Sequence, residues 1–202
     1  MNIVPVSRHV CFWLIVVCGT AWDLISKSWV FRELGYPNGQ SDPWLQYDGK
    51  DVFYLHTTFN QGALWGMGQG LGWLFAIVGL SAILGICYWL FVRGAARSWW
   101  LTVTLAFVMV GTLGNLYDRL YLHGCVNPAT GEPLHGVRDF MQMNLPLGSF
   151  TSLNDFHWAT YNFADVFLVA GAIMLFLQSF TASVTADDAE KSSASNKTVT
   201  AS

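Results

Sequence analysis

Leu71-Gly-Trp-Leu-Phe-Ala-Ile-Val-Gly-Leu-Ser-Ala-Ile-Leu-Gly-Ile-Cys-Tyr-Trp-Leu-Phe-Val92 runs for 22 residues without a charge and stops at Arg93. At roughly 1.5 Å per residue a helix over it is about 33 Å long, enough to cross the hydrocarbon core of a bilayer. Ser98 to Tyr117 repeats the pattern and stops at Asp118. After Asp165 the chain is again uncharged from Val166 to Ala186, and its apolar part ends near Phe180. The run from Val10 to Phe31 is interrupted, with Asp23 and Lys27 before Trp29-Val30-Phe31. It is long enough to cross only if that pair is tolerated inside it.

Composition agrees with this reading. Of 202 residues, 53% are hydrophobic and 11% charged, against about 25% charged in soluble domains. Ten Trp, seven Tyr and fourteen Phe suit a protein with two membrane interfaces to populate. A net charge of −3 excludes a nucleic-acid binder, and the apolar content excludes a disordered chain. Cys11, Cys18 and Cys87 sit in apolar runs, Cys125 does not, and no CxxC pair occurs. The first three read as core residues, not a disulfide framework.

The predicted fold is an all-α membrane protein with four transmembrane helices, at about 10–31, 71–92, 98–117 and 165–183, and a small extracytoplasmic β-containing region. Residues 1–182 form one domain and 183–202 a disordered cytoplasmic tail, rich in Ser, Thr, Ala, Asp and Lys. Val52 to Phe59 reads as a strand from its β-branched and aromatic residues. A cleaved secretory signal is the alternative for the first run, since Arg8 and His9 precede it and Ile15-Val16-Val17-Cys18 is lipobox-like. Val17 argues against it, because that position calls for a small residue. The short loop from Arg93 to Arg97 is basic, which places it and both termini in the cytoplasm.

Alternating spans then bring the unusual polar residues to one face. Asp23 and Lys27 end the first span, Asn60 and Gln61 precede the second, Asn115, Asp118 and Arg119 end the third, and Asn162 and Asp165 open the fourth. Each has an ordinary explanation. Asp23 and Lys27 at i, i+4 make a structural ion pair, Arg119 snorkels to headgroups, Asn162 caps a helix, and Asp165 favours its positive end. Their convergence points instead to a polar site at the outer interface, where ionisable groups are costly and usually functional.

Gly114-Asn-Leu-Tyr-Asp-Arg119, then Gly136-Val-Arg-Asp-Phe140, then Tyr161-Asn-Phe-Ala-Asp165 resemble the motifs of bacterial lipoprotein signal peptidase (signal peptidase II). Asp23-x-x-x-Lys27 and Asn60-Gln-Gly-Ala63 are similar to that family's other two motifs. The resemblance covers roughly residues 8–182. It implies an intramembrane aspartyl endopeptidase that cleaves a prolipoprotein just before a diacylglyceryl-modified Cys. It implies that Asp139 and Asp165 are the catalytic pair, that Asn115, Arg119 and Asn162 shape the site, and that Asp23, Lys27, Asn60 and Gly62 support or line it. Asp118 matches a motif and reads as structural. No cofactor and no metal are expected. The partners are the lipidated prolipoprotein and membrane lipid, with no nucleic acid and a monomeric enzyme, in the bacterial cytoplasmic (inner) membrane with the site at the extracytoplasmic face.

The chemistry fits two carboxylates. One ionised Asp takes a proton from water while the other, protonated, polarises the scissile carbonyl. Such a pair shares a proton and titrates as a unit. The loop bearing Asp139 must fold back over the mouth of the fourth span. No Gly-x-Ser-x-Gly or HExxH spacing occurs, and His123 and His135 read as residues of a solvated loop. The stretch from Leu120 to His135, with Cys125 to Pro133, is longer than the family's pattern, as is the stretch from Phe140 to Tyr161. Asn60 to Trp65 carries bulky residues where the family has small ones and Phe. The rival readings are a small transporter or proton relay using the outer charges, and a non-catalytic membrane adaptor.

Overall fold

A computed structural model describes residues 4–62, 67–149 and 155–179. The predicted tail, Ala63 and the bulky Leu64 and Trp65 lie outside the described residues. The elements are α1 (Val6–Leu34), β1 (Leu45–Tyr47), β2 (Lys50–Asn60), α2 (Gly72–Val92), α3 (Trp99–Arg119), β3 (Val137–Leu145), β4 (Phe156–His157) and α4 (Phe163–Ser179). The last five residues of α2, Tyr88–Val92, wind as a π turn.

Three of these helices, α1, α2 and α3, are long and apolar enough to cross a bilayer; α4 is shorter over its described length. Ile77, Val78, Leu80 and Leu84 of α2 are each more than half exposed. Water would make that surface costly, and lipid does not. The α1 helix runs unbroken past Asp23 and Lys27, so the pair is tolerated inside it, as a span over 10–31 requires. Ser98 starts α3 by accepting the Leu101 N–H at 3.2 Å, a side-chain cap of the usual kind.

Small residues let the helices approach. A Cβ on Gly19 of α1 would lie 2.8 Å from Val110 of α3, and one on Gly171 of α4 would lie 2.7 Å from Val108. On Gly111 it would strike the Ala164 carbonyl, and on Gly114 the Asp23 carboxylate. The face of α3 carrying Gly111 and Gly114 is thus shaped to receive α1 and the start of α4.

The fold is mixed, not all-α. A four-stranded antiparallel sheet, ordered β1-β2-β3-β4, packs on the helix ends. The expected strand at 52–59 is β2. The stretch expected only as a loop folding back is β3, and it carries Asp139. It escapes a local reading because its partner lies far away in sequence: Thr58 pairs with Asp139, Phe59 with Arg138 and Asn60 with Val137. Gly136 opens β3 at φ +131°, with the Asn60 backbone 3.0 Å from where a Cβ would sit. A side chain there would separate the strands. Val30 and Phe31 of α1 pack with Leu55, Phe140 and Met141 and fix the sheet on α1. Met141 and Tyr161 exchange backbone hydrogen bonds at 2.8 and 3.0 Å, so β3 is tied to the chain just before α4.

Candidate active site

The α1–α3 interface holds an ionic chain with no exposure to solvent at Asp23, Lys27 or Asp118. Lys27 Nζ lies 2.7 Å from Asp23 Oδ2 and 3.1 Å from Asp118 Oδ2. Asp118 in turn accepts from Arg138 twice, from its backbone N–H at 3.0 Å and from Nε at 2.9 Å. Arg138 also donates to Ser28 Oγ at 3.2 Å. Two acids face two bases, so the buried cluster is balanced, which is the condition for burying charge without a heavy penalty. Asp23 has a second task. Its Oδ1 accepts the Ala164 N–H at 2.8 Å, satisfying one of the orphan donors of the first turn of α4.

Above this cluster two further carboxylates meet. Asp139 comes from β3 and is 1% exposed; Asp165 comes from the first turn of α4 and is partly exposed. Asn162 links them. Its Nδ2 donates to Asp139 Oδ1, its backbone N–H donates to Asp165 Oδ2 at 3.1 Å, and its Oδ1 accepts the Asp165 N–H at 3.1 Å. The capping role and the site role foreseen for Asn162 are therefore one arrangement. Asn115 donates from Nδ2 to Asp165 Oδ1 at 2.9 Å, and Asn60 hydrogen-bonds Asp139. Burial, and then the Asp165 charge, hold the Asp139 carboxyl well above the usual carboxylate range; the hydrogen bonds from Asn162 and Asn60 and the Lys27 charge oppose this without cancelling it.

Arg119 does not snorkel away. Its Nη2 donates to the Gly62 carbonyl at 2.9 Å and its guanidinium lies 4.6 Å from the centre of the Phe75 ring. Gly62 N–H in turn donates to Asn60 Oδ1 at 3.0 Å. All the residues foreseen for the site, Asp23, Lys27, Asn60, Gly62, Asn115, Arg119, Asp139, Asn162 and Asp165, are thereby brought into one network. Asp118, read as structural, is buried at its base. Sequence reasoning missed Arg138, counted only as an outer charge, and Ser28. The signal was present: Asp118 ends an uncharged helix and needs a cation, and Arg138 adjoins the motif Asp. His123 is half-buried and His135 is exposed. They pack on Tyr121 at centroid distances of 5.0 and 4.8 Å, and His123 also meets Phe59.

Two openings flank the pair. A cleft of about 480 Å³ is lined by Thr58, Asn60, Gln61, Gln69, Asp139 and Thr160. An apolar groove of about 200 Å³ runs between α2, α3 and α4, past Phe75, Val78, Thr112, Leu116, Arg119 and Leu168. Among the described residues no three His, Cys, Asp or Glu side chains gather in a metal-holding arrangement.

The chain is similar to known proteins over most of its length. The family model for signal peptidase (SPase) II matches residues 15–181. A lipoprotein signal peptidase of Rhodopirellula baltica is 37% identical over 177 residues, covering 87% of this chain and 74% of that one. One of Clostridium novyi is 29% identical over 162 residues, covering 80% and 92%. A bacterial membrane enzyme solved by the in meso method at 2.3 Å has the same fold, with a TM-score of 0.63, 22% identity, and coverage of 85% of this chain and 88% of that one.

Proposed function

This chain belongs to the signal peptidase II family, and from that membership we propose that it is a multi-pass membrane aspartic peptidase that removes signal peptides from prolipoproteins, with Asp139 and Asp165 as its catalytic pair. The substrate is diacylglyceryl-modified and is cut before the lipidated Cys. The observation that carries the assignment of the pair is Asn162. One side chain and its own backbone N–H hold two carboxylates delivered by separate elements, a strand and a helix start. Structural ion pairs elsewhere in the molecule use a cation for that purpose.

The reaction follows from the pair sharing a proton. Ionised Asp takes a proton as the water oxygen bonds to the scissile carbonyl carbon. Protonated Asp gives its proton to the carbonyl oxygen, and a gem-diol forms. Collapse breaks the C–N bond: the protonated carboxyl gives its proton to the departing amine, and the ionised one takes a gem-diol hydroxyl proton as the new carbonyl forms, which restores the pair. The apolar groove between α2, α3 and α4 suits the lipid and signal-peptide side of the substrate. The cleft beside Asp139, lined by Gln61, Gln69 and Thr160, suits the polar residues that follow the cut.

Four crossings, with α4 as the fourth and both termini inside, put this network at the outer face of the cytoplasmic membrane. The relay reading has no support, because the polar groups gather at one level and α2 offers no polar path. Purified protein incubated with a diacylglyceryl-modified prolipoprotein should release the signal peptide at the lipidated Cys, and should leave an unlipidated control intact. Absence of cleavage, or equal cleavage of the control, would overturn the reading.

A further inference from the structure

The buried ionic chain and the carboxylate pair meet at one side chain, Asn115. Lys27 Nζ donates to its Oδ1 at 3.3 Å, and Asn162 Nδ2 points to the same oxygen at 3.3 Å. An ammonium has donors and no acceptor, so the amide must turn its oxygen to Lys27. Its NH2 end is then left facing Asp165, at 2.9 Å. Turned half way round, the amide would set NH2 against two donors and its oxygen against a carboxylate.

That orientation matters for the proton. A carboxylate that accepts N–H bonds is held in its ionised form, whereas one facing a carbonyl oxygen must carry a proton to bond it. Asp165 accepts from Asn115 and from the Asn162 backbone, and stands where the α4 dipole favours negative charge. Asp139 also accepts side-chain N–H bonds, from Asn162 and Asn60, but it is the more deeply buried of the two, and burial outweighs those bonds in disfavouring its charge. We propose that Lys27 is a positioning residue: by fixing the Asn115 amide, it makes Asp165 the ionised member that takes the proton of water and Asp139 the protonated member that gives one to the carbonyl oxygen. The assignment rests on the peptidase reading of the pair. The charged groups around it are Asp23 and Lys27 from α1, Asp118 and Arg119 from α3, and Arg138 from β3.

The test is the pH profile of kcat/KM on a lipidated prolipoprotein, for protein whose fold is checked by thermal unfolding. Lys27→Met alone would leave two buried carboxylates facing each other, so it is combined with Asp23→Asn, and Asp23→Asn alone is the control. The double variant should keep cleavage at its own optimum, with the acid limb moved up by about one pH unit or more; the control should keep the wild-type limb. Asn115→Leu removes the amide while leaving the Lys27 charge in place, and should move the limb the same way. A role in folding alone would scale the profile without moving it. A folded double variant or Asn115→Leu variant with the wild-type limb, or a folded double variant dead at every pH, overturns the proposal. Wild type that fails to cleave, or Asp139→Asn and Asp165→Asn variants that still cleave, would sink the peptidase reading instead.

Discussion

Two sets of carboxylates are linked through Lys27 and Asn115, and they are settled on opposite terms. Asp23 and Asp118 face Lys27 and Arg138, cation for anion, wholly out of solvent. Asp139 and Asp165 are hydrogen-bonded by Asn60, Asn115 and Asn162. Amides direct a carboxylate without cancelling its charge, so the repulsion between the two is left standing and a proton has to be held there. The lower carboxylates, each closely paired with a cation, tie α1, α3 and β3 together. Among the described residues the upper set has no close ion pair, which suits the acid–base role proposed for it. The difference lies in the partner, not in the aspartate.

The strongest way to break this comparison is to neutralise one acid in the upper set. Asp139→Asn and Asp165→Asn should each abolish cleavage of a lipidated prolipoprotein, a loss of orders of magnitude in rate, while the protein still folds and inserts. Near wild-type turnover in either variant would move the chemistry elsewhere.

In the lower set the loss should appear in stability. Lys27→Ala leaves Asp23 and Asp118 without the cation between them, and should cost roughly 3–5 kcal/mol. Asp23→Ala should cost less, because Lys27 keeps Asp118, although the Ala164 N–H loses its acceptor. The double change should recover part of the loss, since Asp118 retains Arg138. A double-mutant cycle on thermal unfolding in detergent measures this, and strictly additive losses would show that the two side chains do not interact.

A smaller effect sharpens the contrast, because its sign is opposite. The Asp139 carboxyl is raised in the folded chain by burial and by Asp165. Between the ordinary carboxylate value and that raised one, the folded chain binds more protons than the unfolded chain, so stability falls as pH rises through that window. Asp139→Asn removes the penalty. It should therefore unfold at a higher temperature than wild type at neutral pH, with the gain vanishing as pH falls to the ordinary carboxylate range. A variant that is less stable at neutral pH would mean that the carboxylate is paired after all.

The smallest change is expected at the surface. Lys50 meets Asp155 at 2.8 Å, with both side chains in contact with solvent. Exposed pairs of this kind contribute little, and Lys50→Ala should leave the unfolding temperature close to that of wild type.

What was legible in the sequence follows from the range of the interactions. Uncharged runs such as Leu71 to Val92 are local facts, and the helices stand within a few residues of their predicted bounds, α4 over its described length. The motif residues were picked out by their resemblance to a family pattern and, Asp139 apart, by their convergence on one face; the structure joins them through hydrogen bonds and ion pairs. The strand Val137–Leu145 was not, since its first six residues are buried without alternation and its partner strand is remote in sequence. Arg138 was hidden for the same reason. Read along the chain it is one more outer charge; only the pairing of β3 with β2 turns it inward to Asp118. Asp23 and Lys27 were legible as a pair inside the span predicted at 10–31, and α1, from Val6 to Leu34, encloses them.

The backbone tie between Met141 and Tyr161 has a bearing on the surrounding lipid. Asp165 belongs to α4 and Asp139 to the sheet; on the proposed four-crossing arrangement the helix lies in the hydrocarbon layer and the sheet outside it. A thicker or thinner bilayer acts on the helix first, at a cost of fractions of a kcal/mol per ångström of mismatch. Without a strut, that push would slide one carboxylate past the other. With Tyr161 locked to the strand one residue before Asn162, sheet and helix start are joined as one piece, and on the proposed arrangement the two carboxylates should shift together in membranes of different depth.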